Sequence, residues 1–434
     1  MKTVTTKMEK KTAFPFSPLT AKGLVEILDL TIKKDNNSKV VTFIGCLLAY
    51  TEDSQINISF NGPSSTGKSY IALEIAKLFP ATDVIKLGNC SKTAFFHEQS
   101  KYDKEKNEFV VDLSRRILIF TDMPHTGLLE SLRSFLSHDE KIMYSKITDK
   151  NTKGGLSTKT VALVGYPSVI FCTAGLKMDQ QEMTRFILLS PEVDQEKLRA
   201  GVSNTIIKEA DKDKYLEWLE NDPNRSLLKK RILAIKEEGI KEIKIEKLDT
   251  IQDRFLSNNR RSQPRHQRDI KRLISIIKGF ALLNFWWRKR DGDTIIANDE
   301  DINEALKLWN EISVSQELNL PPYVYDLYIK VFIPIFEEKN RGKKEVHGIT
   351  RDDIMKKHKA VYDTRISMDV LRFDIIPTLY SSGLITKEKS KEDARIEMIF
   401  ISDSHTQKNN SVVDRGVEAV EVIEENPHNL NQLR

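Results

Sequence analysis

Cysteine is scarce in this chain, with three residues among 434. Cys46, Cys90 and Cys172 stand far apart, in apolar or mixed surroundings and without the spacing of metal ligands. A disulfide framework is therefore not expected. This cysteine usage predicts a reducing, cytoplasmic environment.

Long apolar runs are missing as well. The longest, residues 40–50, is interrupted by Thr42 and Gly45 and is too short to cross a bilayer. The first fourteen residues carry charge with no apolar segment behind them, so they do not resemble a secretory signal. We therefore expect no membrane association. A strong charge surplus is also absent: 68 basic against 63 acidic side chains leave +5, which does not by itself indicate a nucleic-acid partner.

What the sequence does contain is a glycine-bounded turn between an apolar, β-branched run (residues 56–60) and a helical pattern (residues 70–79). Such a turn lets backbone N–H groups and a helix N-terminus surround phosphate oxygens. The lysine would neutralise the β- and γ-phosphates and the last serine would ligate Mg²⁺. The alternative is a glycine-rich turn that matches by chance. The predicted ATP-binding residues are Gly62, Pro63, Ser64, Ser65, Thr66, Gly67, Lys68 and Ser69.

The pattern around this turn predicts an α/β fold. After a loose arm (residues 1–20), two helices lead into the first strand, and further buried-type strands are expected at 84–87, 117–121, 168–173 and 186–189. Helical segments alternate with these strands. Because strands that alternate with helices pair in parallel, we expect one parallel sheet with helices on both faces, over residues 21–195.

Polar residues at the ends of two strands are candidates for catalysis. Asp122 closes the run ILIFT and would hold Mg²⁺. Met123 stands where a glutamate would orient the attacking water, so either another carboxylate such as Glu130 replaces it or hydrolysis is slow. Thr173 ends the run SVIFCT and would contact the γ-phosphate or the water. The alternatives are a turn residue for Asp122 and an ordinary strand-end residue for Thr173.

Two arginines are candidates for contacts with phosphate. Arg185 precedes a short apolar strand and could act as an arginine finger on a neighbouring subunit's γ-phosphate. Arg268 opens a helix and could contact bound nucleotide in a similar way. A surface ion pair is the alternative for Arg185, and a solvated or DNA-facing helix is the alternative for Arg268.

Two further segments point to DNA. Residues 144–164 have β-rich arms around an Asn-Thr-Lys-Gly-Gly turn, which predicts a hairpin. Residues 319–403 read as helix, turn, helix and β-hairpin, which is the winged-helix arrangement, although such modules also bind proteins. Between them we expect an all-helical lid (196–318), and after them a disordered tail (404–434). The predicted DNA contacts are Lys146, Lys150, Lys153 and Lys159 in the hairpin and Arg365 and Arg372 in the winged helix.

Together these residues resemble an AAA+ ATPase of the minichromosome-maintenance-like (MCM-like) replicative helicase type, in the compact form carried by bacterial mobile elements and prophages. The resemblance rests on GPSSTGKS, ILIFTDMPH, SVIFCTAG, the triplet TRF at Arg185 and the helix that begins at Arg268. It implies an AAA+ core with a lid, a pre-sensor hairpin that grips DNA, a sensor role for Arg268 and a hexameric ring. It covers residues 40–400.

The resulting hypothesis is an ATP- and Mg²⁺-dependent DNA helicase or translocase that helps to replicate a mobile element or phage, with a primase or loader protein as a further partner. Two other classes stay open. One is an ATP-gated loader that binds DNA without unwinding it, and the other is a regulator that binds duplex through residues 350–401. Strand displacement and stimulation of ATPase activity by single strands would separate the three.

Overall fold

The structure is a computed structural model that describes residues 15–88, 101–122, 126–149, 157–174, 180–258, 264–390, 393 and 395–402. The chain forms two compact units that divide between Tyr325 and Asp326. No helix in these ranges has the length and apolarity needed to cross a membrane. Residues 404–434, where a disordered tail was expected, lie outside the described part of the chain.

The strands, in chain order, are β1 (Asn57–Gly62), β2 (Val84–Leu87), β3 (Lys101–Asp103), β4 (Glu108–Asp112), β5 (Ile117–Phe120), β6 (Ile142–Asp149), β7 (Ser157–Val164), β8 (Ser168–Ala174), β9 (Ile187–Leu189), β10 (Glu242–Ile245), β11 (Lys289–Asp291), β12 (Thr294–Ala297), β13 (Ile385–Lys389) and β14 (Glu397–Ile401).

The helices are α1 (Ala21–Leu28), α2 (Asn36–Leu47), α3 (Lys68–Ala76), α4 (Thr126–Ser131), α5 (Arg133–Leu136), α6 (Gln180–Met183), α7 (Gln195–Ala210), α8 (Lys212–Asn221), α9 (Pro223–Glu238), α10 (Leu248–Asn258), α11 (His266–Leu283), α12 (Asp299–Glu317), α13 (Pro322–Leu327), α14 (Ile333–Asn340), α15 (Arg351–Tyr362) and α16 (Ile376–Ser381).

The central sheet has five parallel strands in the order β2-β5-β8-β1-β9. Alternate residues of one strand enter opposite cores: Ile117 and Ile119 pack with α2, α3 and α11, whereas Leu118 and Phe120 pack with α4 and α5. Burial of both faces explains why these strands are continuous apolar runs. The predicted parallel sheet with helices on both faces is confirmed.

A second sheet carries the predicted hairpin. Strands β6 and β7 pair antiparallel, as expected for residues 144–164, and the predicted turn between them falls on residues 150–156, which lie outside the described residues. A short hairpin that the sequence did not predict, β3–β4, joins this sheet because β4 pairs in parallel with β7.

The segment expected to be an all-helical lid is only partly helical, so this prediction is wrong. Helices α7 to α12 are interrupted by a three-stranded sheet in the order β10-β12-β11. The sequence signal for this sheet was local. Three of the four residues of β12 (Thr-Ile-Ile-Ala) are β-branched, and the preceding Asp-Gly-Asp makes a turn in which Gly292 has a φ of +58°.

The second unit has the predicted order of helix, helix and β-hairpin. Thr350 and Asp353 form the expected capping box at the start of α15, and β13 pairs antiparallel with β14. Two prolines stand inside helical segments, and each follows a π-helical turn (Tyr328–Phe332 before Pro334, Val370–Ile375 before Pro377). A widened turn accommodates a ring that would clash with the carbonyl four residues earlier.

Candidate functional site

The carboxyl ends of three neighbouring strands bring Asp122 and Thr173, two of the predicted catalytic residues, to one edge of the central sheet. Asn61 of β1 is level with Thr173 of β8, and Phe120 of β5 is level with Phe171 of β8. Asp122, two residues beyond Phe120, therefore ends beside Thr173. We call this the loop edge: residues 62–69 with Asp122 and Thr173.

The glycine-bounded turn has an open, backbone-lined shape. Gly67 has a φ of +95° and is the N-cap of α3, where no side chain caps the first N–H groups. A Cβ at Gly67 would meet nothing within 4 Å, and Pro63, Ser64 and Ser65 are exposed. An uncapped helix N-terminus beneath an open loop suits an anionic ligand.

Lys68 is a buried cation, with 8% of its surface exposed. Its ammonium donates to the carbonyl oxygens of Gly62 (2.8 Å) and Pro63. Burial lowers its pKa. Among the described residues, no acidic side chain forms an ion pair with it. A buried ammonium that is held by carbonyls alone favours an added anion, so the residues present fit a phosphate group.

The expected magnesium ligands stand near each other. The Ser69 hydroxyl lies 3.4 Å from the carbonyl oxygen of Thr121, the residue before Asp122, and Asp122 is exposed. The thiol of Cys172 contacts Ser69, and burial raises its pKa to about 12, so it stays protonated. No group of three or more His, Cys, Asp or Glu suited to a metal occurs in the described ranges.

Thr173 is buried beneath the loop edge rather than open to it. Its hydroxyl donates to Oδ1 of Asn61 at 2.8 Å, and Asn61 in turn donates to the Ser59 carbonyl. Asn61 was not predicted as a site residue, although it opens the motif. Met123 lies outside the described residues, and Glu130 is exposed on α4.

A cavity of about 440 Å³ adjoins the loop. The α1–α2 connection (Thr31, Ile32), the loop (Thr66, Gly67) and α7 line it. Helix α7 has no buried residue, yet Leu198, Val202 and Ile206 recur every four positions and line the cavity. This four-residue spacing is the sequence signal for the cavity wall, and none of the predicted site residues lies in this helix.

Lys197 joins α7 to the loop. Its ammonium contacts the Asp35 carboxylate at 2.5 Å and donates to the carbonyl oxygens of Thr66 (3.3 Å) and Glu192 (2.9 Å). Burial raises the pKa of Asp35, and Lys197 opposes that shift. Lys197 and Asp35 are more than 150 positions apart in the sequence, so no local pattern could have predicted this ion pair.

Arg185 and Arg268 lie at the opposite edge of the sheet. Ile187 of β9 is level with Ile58, which puts Arg185 level with residue 56, six residues or about 20 Å from Gly62. Arg268 donates to the hydroxyl of Thr184 at the same end. Arg268 therefore lies away from the loop of its own chain, and its contact with nucleotide stays a prediction.

We call this second location the arginine edge. Glu182 accepts from Arg133 at 2.8 Å and pairs with Arg185 at 3.0 Å, and the Arg185 Nε donates to Ser137. Only 7% of the Arg185 side chain is exposed, so it does not project as a finger. Burial lowers its pKa. The cluster holds five arginines and two carboxylates: Arg133, Arg185, Arg265, Arg268, Arg272, Glu182 and Asp269.

Of the predicted DNA-binding lysines in the hairpin, the two that the structure describes, Lys146 and Lys159, do not share one face. Lys146 is exposed and opposite Thr160, whereas Lys159 is opposite Ile147 and lies over the Phe109 ring, so the two lysines face opposite sides of the hairpin. Lys150 and Lys153 lie outside the described residues. Arg365 and Arg372 of the second unit are both exposed.

Neither the comparison with protein-family models nor the comparison with curated proteins finds a match for this chain.

Proposed function

We propose that this protein is an AAA+-type ATPase that assembles into a ring and moves DNA, in the replication of a mobile element or phage. The observation that carries the proposal is the division of charge across one sheet. Groups suited to a triphosphate stand at the loop edge, and the surplus of arginine stands about 20 Å away at the other edge.

At the loop edge, Lys68 exchanges its carbonyl contacts for phosphate oxygens and the N–H groups of α3 face the same phosphates. Ser69 and Asp122 hold Mg²⁺, which when bound neutralises the developing charge on the phosphates. The cavity beside Gly67 accepts the base and ribose against the apolar stripe of α7. Asn61 and Thr173 fix the strand ends from below.

At the arginine edge, Arg185 and Arg268 cannot reach the loop of their own chain, which supports their action on a nucleotide held by an adjacent copy. Arg185 must then leave Glu182, whose carboxylate keeps Arg133 as a partner. Assembly would thus complete each site with a planar cation at the developing charge.

Two measurements test this function. Lys68→Ala should raise the dissociation constant for ATP at least tenfold, whereas Lys77→Ala, an exposed lysine at the end of the same helix, should leave it unchanged. A mixture of Lys68→Ala and Arg185→Ala chains should regain ATPase activity, because some interfaces then join an intact loop to an intact arginine. Intact affinity in Lys68→Ala contradicts the nucleotide site, and a mixture that stays inactive contradicts the shared site.

An ATP-gated loader is the second candidate. The internal pairing of Arg185 and the methionine after Asp122 both favour a protein that binds ATP well and hydrolyses it slowly. Strand displacement on a forked duplex separates the two, since a loader binds the fork and leaves it paired.

A further inference from the structure

The last helix of the second unit exposes two aromatic rings. This helix runs through the π-helical turn Val370–Ile375 into α16. Its inner side buries Leu371, Ile375 and Leu379, whereas 63% of Phe373 and 52% of Tyr380 are exposed. A single exposed aromatic ring is ordinary on a protein surface, but two such rings on one helix indicate a binding surface.

A cation stands over each ring. The guanidinium of Arg372 lies 5.2 Å from the Phe373 ring centre, and the ammonium of Lys387 in β13 lies 4.9 Å from the Tyr380 ring centre. Lys387 also approaches Glu397 at 3.4 Å. Each exposed ring thus has a positive charge beside it, an arrangement that suits a ligand with flat groups and phosphates.

The spacing fits a strand of nucleic acid. Phe373 and Tyr380 are seven positions apart, about 10 Å along a helix, and the exposed Pro377 lies between them. At about 3.4 Å per nucleotide, a stacked strand covers this distance in about three nucleotides.

We propose that the aromatic–cation surface, formed by Arg372, Phe373, Tyr380 and Lys387, binds unpaired DNA by stacking bases on the two rings. The inference deepens the proposed DNA-binding role and rests on it, but it is independent of ATP hydrolysis. Bases of any identity can stack, so binding is tolerant of sequence. Asp369 and Asp374 flank the surface on the same helix and repel phosphates, which sets a limit on affinity.

The test measures the binding of a fluorescein-labelled oligo(dT) of about 20 nucleotides to the full-length chain without nucleotide, from about 50 to 300 mM salt. Phe373→Ala and Tyr380→Ala should each weaken binding about 5- to 100-fold, whereas Phe373→Trp should keep it. Arg372→Gln should reduce the slope of log affinity against log salt by about 0.7, and Phe373→Ala should leave that slope unchanged. Val361→Ala, an exposed apolar residue at the end of α15, is the matched control.

The same variants are measured in a chain in which Lys146, Lys150, Lys153 and Lys159 are all changed to glutamine, so that the hairpin cannot mask the result. If Phe373→Ala and Tyr380→Ala bind oligo(dT) as tightly as the unaltered chain in both backgrounds, the inference is wrong and the proposed function still stands. An equal loss of duplex and single-strand binding would mean that the surface does not select unpaired DNA, and this also overturns the inference. If the unaltered chain binds no DNA, the proposed function fails with it.

Discussion

At the loop edge of the central sheet the polar groups come mainly from the backbone, whereas at the arginine edge they come from long side chains. The loop edge is a turn with exposed residues and one buried lysine held by carbonyls. The arginine edge is a network in which two carboxylates hold arginines from α5, α11 and the start of β9. The first exposes its loop residues to solvent, whereas the second already pairs its charged side chains with one another.

The largest effect on the difference between the two edges is expected from removing Arg185. Arg185→Ala should lower ATPase turnover about 1,000-fold and change ATP affinity less than twofold, since a finger acts on the transition state. Turnover and equilibrium binding are measured on the same preparation. Arg290→Ala, an exposed arginine paired with Glu238, should be neutral. A matched fall in affinity would place Arg185 in nucleotide binding instead.

The next effect concerns the backbone of the loop edge. Gly67→Ala puts a Cβ on a residue with a φ of +95° and should raise the ATP dissociation constant about 30-fold as the turn changes shape. Gly292→Ala is the control, because Gly292 also has a positive φ and open space but lies in the β11–β12 turn. Both should lose about 1–2 kcal/mol of stability. Equal ATP affinity in the two variants would show that loop shape is unimportant.

A third effect is the acid sensitivity of the arginine edge. Burial lowers the pKa of the His138 imidazole, next to Ser137, from 6.5 to about 4. The unfolded chain therefore binds the extra proton first, and stability falls as pH drops from about 6.5 towards 4, by about 2 kcal/mol at pH 5. His138→Asn, which tolerates the φ of +57° at this position, should reduce the loss of urea resistance between pH 7 and 5. An unchanged loss would mean that His138 is charged in the folded protein.

The smallest effect should have opposite signs in two variants of one network. Glu182→Gln removes the carboxylate that pairs with Arg185 and should lower the protein concentration for half-maximal ATPase activity about threefold to tenfold, whereas Arg133→Gln leaves Glu182 to pair with Arg185 and should raise that concentration. A loss of stability, which urea unfolding would measure, would shift the half-maximal concentration of both variants in the same direction. A shift of both concentrations in one direction would therefore contradict the exchange of partners.

Features that depend on neighbouring residues could be predicted from the sequence, whereas contacts between residues far apart in the chain could not. The loop, the five parallel strands and the capping box at Thr350 each depend on a few adjacent residues, and local pattern was sufficient to predict them. Lys197 with Asp35 and Glu182 with Arg133 join residues that are distant in sequence, and only the folded chain brings them together. The arrangement of Arg185 and Arg268 followed from the strand register, which the sequence did not provide.

The hydrogen bond from Lys197 to the Thr66 carbonyl connects the loop to α7. Lys197, in the first turn of this helix, also contacts Asp35, and Asn204 farther along contacts the Tyr70 hydroxyl of α3, whereas no residue of the helix is buried. A movement of α7 would therefore reach the loop and the start of α3 through two side chains. A ligand at the loop and the tilt of the helix would then each report on the other.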